Sequence, residues 1–473
     1  MERLIKASKI TPKRADQIHD SRLGIGFEKL DRGLFDPEKA YDKVAALGVK
    51  WVRIQSGWMR TEKEKGVYDF AWLDDIVDNL LSRGLRPWMN VVYGNPLYTK
   101  FAAPYFGAVG CPPVDTEEER IGWHNYCMAL SEHFAGRVEY FEIWNEPDLA
   151  YSWRHENTVV DTTGTPNGTE YGQFVIASAK ALKAGNKEAK VIGFALGHPR
   201  DLAFPAAALE TGMTDYIDAA SYHIYTLDNQ DRIDLFNAFA RLVHQYNPNI
   251  EIIQGESGTQ SDPRGAGALR WRKWTPEKQM KFLLRLMVTH LSQDNKFVSY
   301  FSAMDMVEAL HGTLDDTASM RDFGYFGVIG ASFDENGVAN GDYYEKPSYF
   351  ALQTLCTLFA EDAKPAPLSY YFRSEPCKYI GGFDCTEPTM EKYTFTLSDG
   401  KKALCYWNNV DILRATYEGV ASVEIATKEV PQLIDLADGT IYDLPEDMIE
   451  KTEATVILHH IPIRDYPLML TWK

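Results

Sequence analysis

Between residues 21 and 362, short apolar runs alternate with longer stretches in which apolar positions recur every three or four residues. The runs at 23–27, 50–55, 86–92, 140–146, 190–195, 216–225, 250–256 and 297–305 predict strands. The stretches between them predict helices. Asp36 and Pro37 open one that sets Ala40, Tyr41, Val44, Ala45 and Leu47 on one face and stops at Gly48, and Trp72, Leu73, Ile76, Val77, Leu80 and Leu81 mark another that stops at Gly84. Further helices are expected at 117–134, 171–184, 231–246, 276–291 and 347–359. A strand, helix, strand rhythm of this kind implies parallel strands joined by right-handed crossovers. Eight strands and the helices between them predict a (β/α)8 TIM barrel over 21–362. A doubly wound open sheet is the competing architecture, but it would be large at eight strands, and no Gly-x-Gly-x-x-Gly follows the first strand.

After Pro365 and Pro367 the period changes to that of strands. Short runs at 370–372, 393–397, 403–407, 421–425, 433–436 and 454–458 are separated by turns such as Ser398-Asp399-Gly400 and Ala437-Asp438-Gly439. Residues 363–473 are therefore expected to form an all-β, sandwich-like domain. The polar lead 1–20 is expected to pack on it, because the two ends of a barrel domain often lie on one side.

Composition narrows the function. The 473 residues are 45% hydrophobic and 25% charged, enough for a large core, and the net charge of −18 argues against nucleic acid or anionic membranes as partners. Aromatic residues, 13% of the chain with 11 Trp and 26 Tyr, suit packing and also stacking on sugar faces. Cys111, Cys127, Cys356, Cys377, Cys385 and Cys405 show no Cys-x-x-Cys pair and no His at zinc spacing, so neither a metal nor another cofactor is expected. A bridge between Cys377 and Cys385 would suit an exported protein, but free thiols are the expectation. The first 20 residues lack an apolar signal core and no run of 18 apolar residues occurs, which points to a cytoplasmic protein unless a leader has been removed.

In a barrel, the site is built by the residues that end the strands. These are Glu28, Arg53, Asn90 or Asn95, Asn145 with Glu146, His223 with Tyr225, Glu256 and Asp305. Two carboxylates stand out, one ending the fourth strand and one the seventh. Paired carboxylates are what glycoside hydrolysis needs, one to protonate the leaving oxygen and one to attack the anomeric carbon or activate water. Glu146, after a run of Phe141, Ile143 and Trp144, is in the setting that raises a carboxyl's pKa.

Phe141-Glu142-Ile143-Trp144-Asn145-Glu146-Pro147-Asp148-Leu149 resembles the acid/base motif of the clan of retaining (β/α)8 glycosidases, and in particular glycoside hydrolase family 39, the β-xylosidases and α-L-iduronidases. Ser221-Tyr222-His223-Ile224-Tyr225 resembles that family's sixth strand and Ser299-Tyr300-Phe301-Ser302-Ala303-Met304-Asp305 its eighth. Phe326-Gly327-Val328-Ile329-Gly330 and Lys346-Pro347-Ser348-Tyr349-Phe350-Ala351-Leu352 resemble the approach to its last helix. The resemblance implies that Glu146 is the acid/base and Glu256 the nucleophile, and that Asn145 bonds the sugar 2-hydroxyl. It further implies that Arg53 holds Glu256 ionised, Tyr225 bonds the nucleophile and His223 orients the acid. Gly255-Glu256-Ser257 departs from the Thr-Glu-Trp usual around the nucleophile, and Phe301 stands where the family carries a Trp under the sugar.

The expected activity is that of a retaining exo-glycosidase acting on a terminal β-linked, β-xyloside-like sugar. The alternatives are an endo-acting enzyme, with 98–116 and 148–167 lining a groove, and a catalytically silent carbohydrate-binding protein on the same fold. The likeness to β-xylosidases is compatible with a homo-oligomer. Glu28, Asp305, Phe301 and Trp58 are further candidates for sugar contacts, and Trp88, Tyr93, Tyr98, Trp153, Trp271 and Trp274 for stacking platforms, of which about a third are expected to serve. Glu142 is expected in a buried ion pair inside the barrel. Asn167-Gly168-Thr169 matches a glycosylation sequon that carries little weight alone.

Overall fold

The computed structural model describes residues 1, 3–158, 160, 164–308, 313–315, 318, 321–375, 377–378, 384–385 and 389–473. Eight parallel strands close into a barrel: β1 Leu23–Gly26, β2 Trp51–Gln55, β3 Arg86–Val91, β4 Tyr140–Ile143, β5 Lys190–Leu196, β6 Ala219–His223, β7 Glu251–Ser257 and β8 Val298–Tyr300, with β8 pairing back onto β1. Alternation along each strand sorts the side chains. Val52, Ile54, Met89, Val91, Phe141, Ile143 and Tyr222 join the large core shared with the surrounding helices. The opposite set faces inward in layers.

The lowest inward layer is apolar: Trp51, Trp88, Tyr140, Ile192, Ala219, Ile253 and Phe297 form one cluster that plugs the barrel floor. One step up, polar residues take over. Arg53, Asn90, Glu142 and Ser221 are all buried there, and Glu142 accepts from Arg53 Nη2 at 2.5 Å, Ser221 Oγ at 2.5 Å and Asn90 Nδ2 at 3.1 Å. The ion pair expected for Glu142 is present. A buried carboxylate with its partners fixed in this way orients the arginine that reaches the next layer.

The predicted helices are present, with Gly48 (φ 78°) and Gly84 (φ 77°) in the left-handed conformation that ends a helix. The crossover between β5 and β6, which the periodicity left unplaced, is the seven-residue helix Ala203–Leu209. Also absent from the expectation are the antiparallel pairs Met306–Val307 with Phe323–Gly324 and Ile329–Phe333 with Ala339–Glu345. Two of these four strands are only two residues long, too short for a period to register.

Most of the C-terminal strands fall into two antiparallel sheets. One has seven strands, among them Met390–Thr396, Lys402–Asn408, Gln432–Asp435, Thr440–Asp443 and Leu468–Trp472, and Ile5–Lys9 completes its edge by pairing with Thr440–Asp443. The other has Tyr370–Ser374, Glu418–Ile425, Ile449–Lys451 and Val456–Arg464. Lys402–Asn408 shows why its run is nearly all apolar: Leu404 and Tyr406 pack on the second sheet, whereas Ala403, Cys405 and Trp407 belong to the barrel's core. Cys111, Cys127, Cys356 and Cys405 are free and buried, and the side chains of Cys377 and Cys385 lie outside the described residues. Among the described residues no helix is long and apolar enough to cross a membrane.

Candidate active site

The end of β4 sets up the site. Trp144 O accepts from Asn90 Nδ2 at 2.5 Å, and Trp144 (φ 67°) and Glu146 (φ 51°) both take the left-handed backbone, a conformation that costs a non-glycine residue about 1–3 kcal/mol and collects at functional sites. The turn breaks the ladder after Ile143, three residues before the predicted end, and Glu146 N–H is caught by Ala195 O at 2.9 Å. Asn145, Glu146 and Leu149 thereby line a cavity of about 520 Å³ at the barrel mouth.

Arg53 is the hub. Its Nη1 lies 2.9 Å from Glu256 Oε2 and 3.4 Å from Glu28 Oε1, its Nη2 donates to Asn145 Oδ1 at 2.8 Å, and it is fully buried. Tyr225 donates to Glu256 Oε1 at 2.6 Å. His223, behind the cavity wall, sits with Nδ1 3.0 Å from Glu146 Oε1 and 3.8 Å from Glu256 Oε2. Tyr151 donates to the other Glu146 oxygen at 3.1 Å.

Burial raises the Glu146 carboxyl above its ordinary range, against the opposing pull of the Tyr151 hydroxyl and the Arg53 charge. Burial pushes His223 down to about 4, so its imidazole is neutral at neutral pH. Burial also lifts Glu28, to about 8; Arg53 opposes the rise and Glu256 adds to it. Burial thus favours the neutral form at Glu146, Glu28 and His223 alike.

Glu146, His223 and Glu256 offer ligand atoms within 4.8 Å of one another, the spacing of a cation site. Their chemistry does not suit one: both carboxylates already accept hydrogen bonds, and a cation on Glu256 would face the Arg53 guanidinium 2.9 Å from the same group.

Seven of the sequence candidates meet at this cavity: Glu28, Arg53, Asn145, Glu146, Tyr225, Glu256 and Phe301, with His223 directly behind them. Asn90, Asn95, Asp305 and Trp58 do not line it. Asp305 is tied to Lys346 Nζ at 2.7 Å and to Gly327 N at 2.9 Å, a buried pair that fastens the end of β8 to the last helix. Trp58 is fully buried, donates to Glu62 Oε2 at 2.6 Å and stacks on Tyr98 and Tyr126 at 5.2 and 5.5 Å. Of the aromatic platforms considered, Tyr93 lines the cavity; Trp88 and Trp153 are core residues, and Trp271 is 84% exposed. Asn167 caps a helix by accepting from Thr169 N at 2.9 Å.

The sequence reading missed Lys29 and Glu308, an ion pair with Nζ and Oε1 3.3 Å apart, as well as Tyr151, His198, Phe326 and the stretch 267–270. These come from loops and the unforeseen hairpin, so no period marks them. Only Tyr151, five residues beyond Glu146 on the same loop, carried a hint.

Comparison with known proteins agrees with this architecture. A β-xylosidase of Geobacillus stearothermophilus is 26% identical over 141 residues, a match that spans 28% of this chain and 25% of that protein. A family 39 glycoside hydrolase from the gut symbiont Bacteroides cellulosilyticus WH2 has a similar structure, with a TM-score of 0.65 at 16% identity over 99% of this chain and 83% of that one. A monomeric β-xylosidase from Caulobacter crescentus CB15 gives a TM-score of 0.58 at 16% identity over 98% and 97%. At such identities the two structures speak for the fold. The family model for glycosyl hydrolases family 39 matches residues 38–363, well over half of the sequence and nearly all of the barrel, and the chain therefore belongs to that family.

Proposed function

We propose that this protein is a retaining glycosidase that removes a terminal β-linked sugar of the β-xyloside type through a covalent glycosyl-enzyme. The observation that carries the reading is the closeness of Glu146 and Glu256, which present carboxylate oxygens within 4.8 Å of each other. Retention calls for carboxyls about 5–5.5 Å apart, whereas inversion needs about 6.5–9.5 Å to admit a water between them.

Glu146, whose pKa burial raises, gives its proton to the glycosidic oxygen as the bond to the anomeric carbon breaks, and Glu256 attacks that carbon. Arg53 and Tyr225 fix the orientation of Glu256 with a hydrogen bond to each oxygen. In the second step Glu146 takes a proton from water, which attacks the same carbon and releases Glu256. Asn145, held by Arg53, is placed to bond the 2-hydroxyl, a contact that strengthens as positive charge develops on the ring. The β-xyloside class rests on the family and on the relatives' names; Phe301, packed edge-on against Phe326 at 5.2 Å, presents a smaller wall to the sugar than an indole would.

The test is a panel of aryl glycosides combined with Glu256→Ala. We expect turnover of at least one β-glycoside, loss of activity in the variant, and rescue by azide that yields a glycosyl azide of inverted configuration. Full activity in the variant would sink the reading, as would sugar binding without turnover on any substrate.

A further inference from the structure

Beyond the paired carboxylates, the structure places a phenol on the acid. Tyr151 donates to Glu146 Oε2 at 3.1 Å, and His223 Nδ1 lies 3.0 Å from Oε1. His223 Nε2 is buried and has no hydrogen-bond partner among the described residues. A buried N–H without an acceptor costs more than an unused lone pair, so the ring proton belongs on Nδ1, where Oε1 accepts it. Both oxygens of Glu146 thus accept hydrogen bonds at rest.

Tyr151 is delivered to that oxygen by a braced loop. Before it, Asp148 accepts from the N–H groups of Gly197 and His198 at 2.8 and 2.7 Å. After it, Trp153 Nε1 donates to Glu170 Oε2 at 2.7 Å, and His155 is clamped between Asp115 at 2.8 Å and the same Glu170 at 3.1 Å. The side chain therefore has little freedom to leave Glu146 unless something takes its place.

We infer that Tyr151 is a positioning residue for the acid, exchanging with the glycosidic oxygen at Glu146 Oε2 and so setting the pH range over which Glu146 carries a transferable proton. This rests on the reading of Glu146 as the acid/base. When substrate enters, the glycosidic oxygen displaces the phenol. The proton of Glu146 passes to that oxygen as the carbon–oxygen bond breaks and its electron pair goes to the leaving group, while Glu256 forms the new bond to carbon. The phenol then returns as donor to the carboxylate left behind. Burial, reinforced by the nearby Glu146, drives the Tyr151 pKa far above its ordinary value, so the hydroxyl stays a donor throughout. The other titratable or charged groups facing Glu146 are His223, Tyr225, Glu256, Arg53, His198, Asp148 and Tyr93, from five other strand ends and the same loop.

The experiment is the pH profile of kcat/KM for Tyr151→Phe, on an aryl glycoside with a poor leaving group and on its 2,4-dinitrophenyl counterpart. A hydrogen bond to the carboxylate lowers its pKa, so removing the bond moves the basic limb to higher pH on the poor leaving group. On the activated substrate, whose departure needs no proton, the basic limb does not move with the substitution. Site-specific 3-fluorotyrosine at 151, a stronger donor of nearly the same shape, moves the limb to lower pH and serves if Tyr151→Phe fails to fold. A uniform fall at every pH on both substrates, with the limbs in place, overturns the proposal. A basic limb that persists in Glu146→Gln overturns the assignment of Glu146 and the proposal with it. A limb that vanishes in Glu146→Gln yet stays fixed in the Tyr151 variants overturns the Tyr151 proposal alone.

Discussion

Arg53 joins the inside of the barrel to the chemistry at its mouth. One planar fork meets Glu142 below, Asn145 beside it and Glu256 above, a set that a single ammonium does not reach at once. Arg53→Lys keeps the charge, and we expect kcat/KM to fall on the order of 100-fold, because misplacement of a catalytic group by about 1 Å has that effect. Steady-state kinetics on protein shown to be folded measures it; an unchanged kcat/KM would mean that charge alone suffices. Arg53→Met strips the partner from a buried Glu142 and is expected to cost about 3–5 kcal/mol of stability in denaturant titration. The Asp305–Lys346 pair makes the contrasting case. Asp305→Asn is expected to lower stability while leaving KM of the folded enzyme unchanged, because the carboxyl holds the last helix and lies away from the cavity. A raised KM at unchanged stability would return Asp305 to the substrate.

At the scale of elements, two loops that the sequence marked only by their length are tied together by one histidine. Burial opposes a proton on His155, but its bonds to Glu170 and Asp115 outweigh that cost and raise its pKa. Its contribution to stability is therefore fully present below the ordinary histidine value of 6.5 and is lost as pH rises through the raised folded-state value. Asp115 and Glu170 are lowered: burial works against the shift and the bonds to His155 prevail, so their contribution is present above the ordinary carboxylate range and is lost as pH falls through the lowered values. His155→Gln should thus reduce Tm most between the ordinary carboxylate range and pH 6.5, with the deficit shrinking at alkaline pH. Thermal melts of both proteins across pH 4–10 test this, and a pH-independent deficit would contradict it. The strand ends illustrate a related limit. Trp144 continues the apolar run in sequence, yet Trp144 and Glu146 leave the ladder because Asn90 and the backbone of β5 capture the turn from neighbouring strands.

At the scale of the whole molecule, the barrel and the C-terminal sheets share a core and a polar seam. Arg285, on the helix before β8, donates to the carbonyls of Asp465, Val410 and Asn408 at 2.7, 2.9 and 3.1 Å, and Lys281 pairs with Asp465 at 3.1 Å. Phe359 at the end of the last barrel helix meets Phe395 of the seven-stranded sheet edge-on at 4.9 Å. We expect one calorimetric transition for the intact protein, and two separable ones in Arg285→Met, which strands three carbonyls at the seam. Two transitions in the wild type would show that the units melt independently.

By itself the sequence determined the barrel, the sheet-rich C-terminal part and the paired carboxylates. Period and strand ends are local properties, and a residue that ends a barrel strand is carried to the mouth whatever the loops do. Glu28, Arg53, Asn145, Glu146, Tyr225, Glu256 and Phe301 were legible for that reason. Tertiary structure alone decided which strand-end candidates turn elsewhere, as Asp305 and Trp58 do, because an acid or an indole follows whichever partner packing brings first. It alone decided the cavity wall from Lys29, Glu308 and 267–270, and the phenol on Glu146. These contacts join residues far apart in the chain through loops without a period, and nothing short of the closed barrel brings them together.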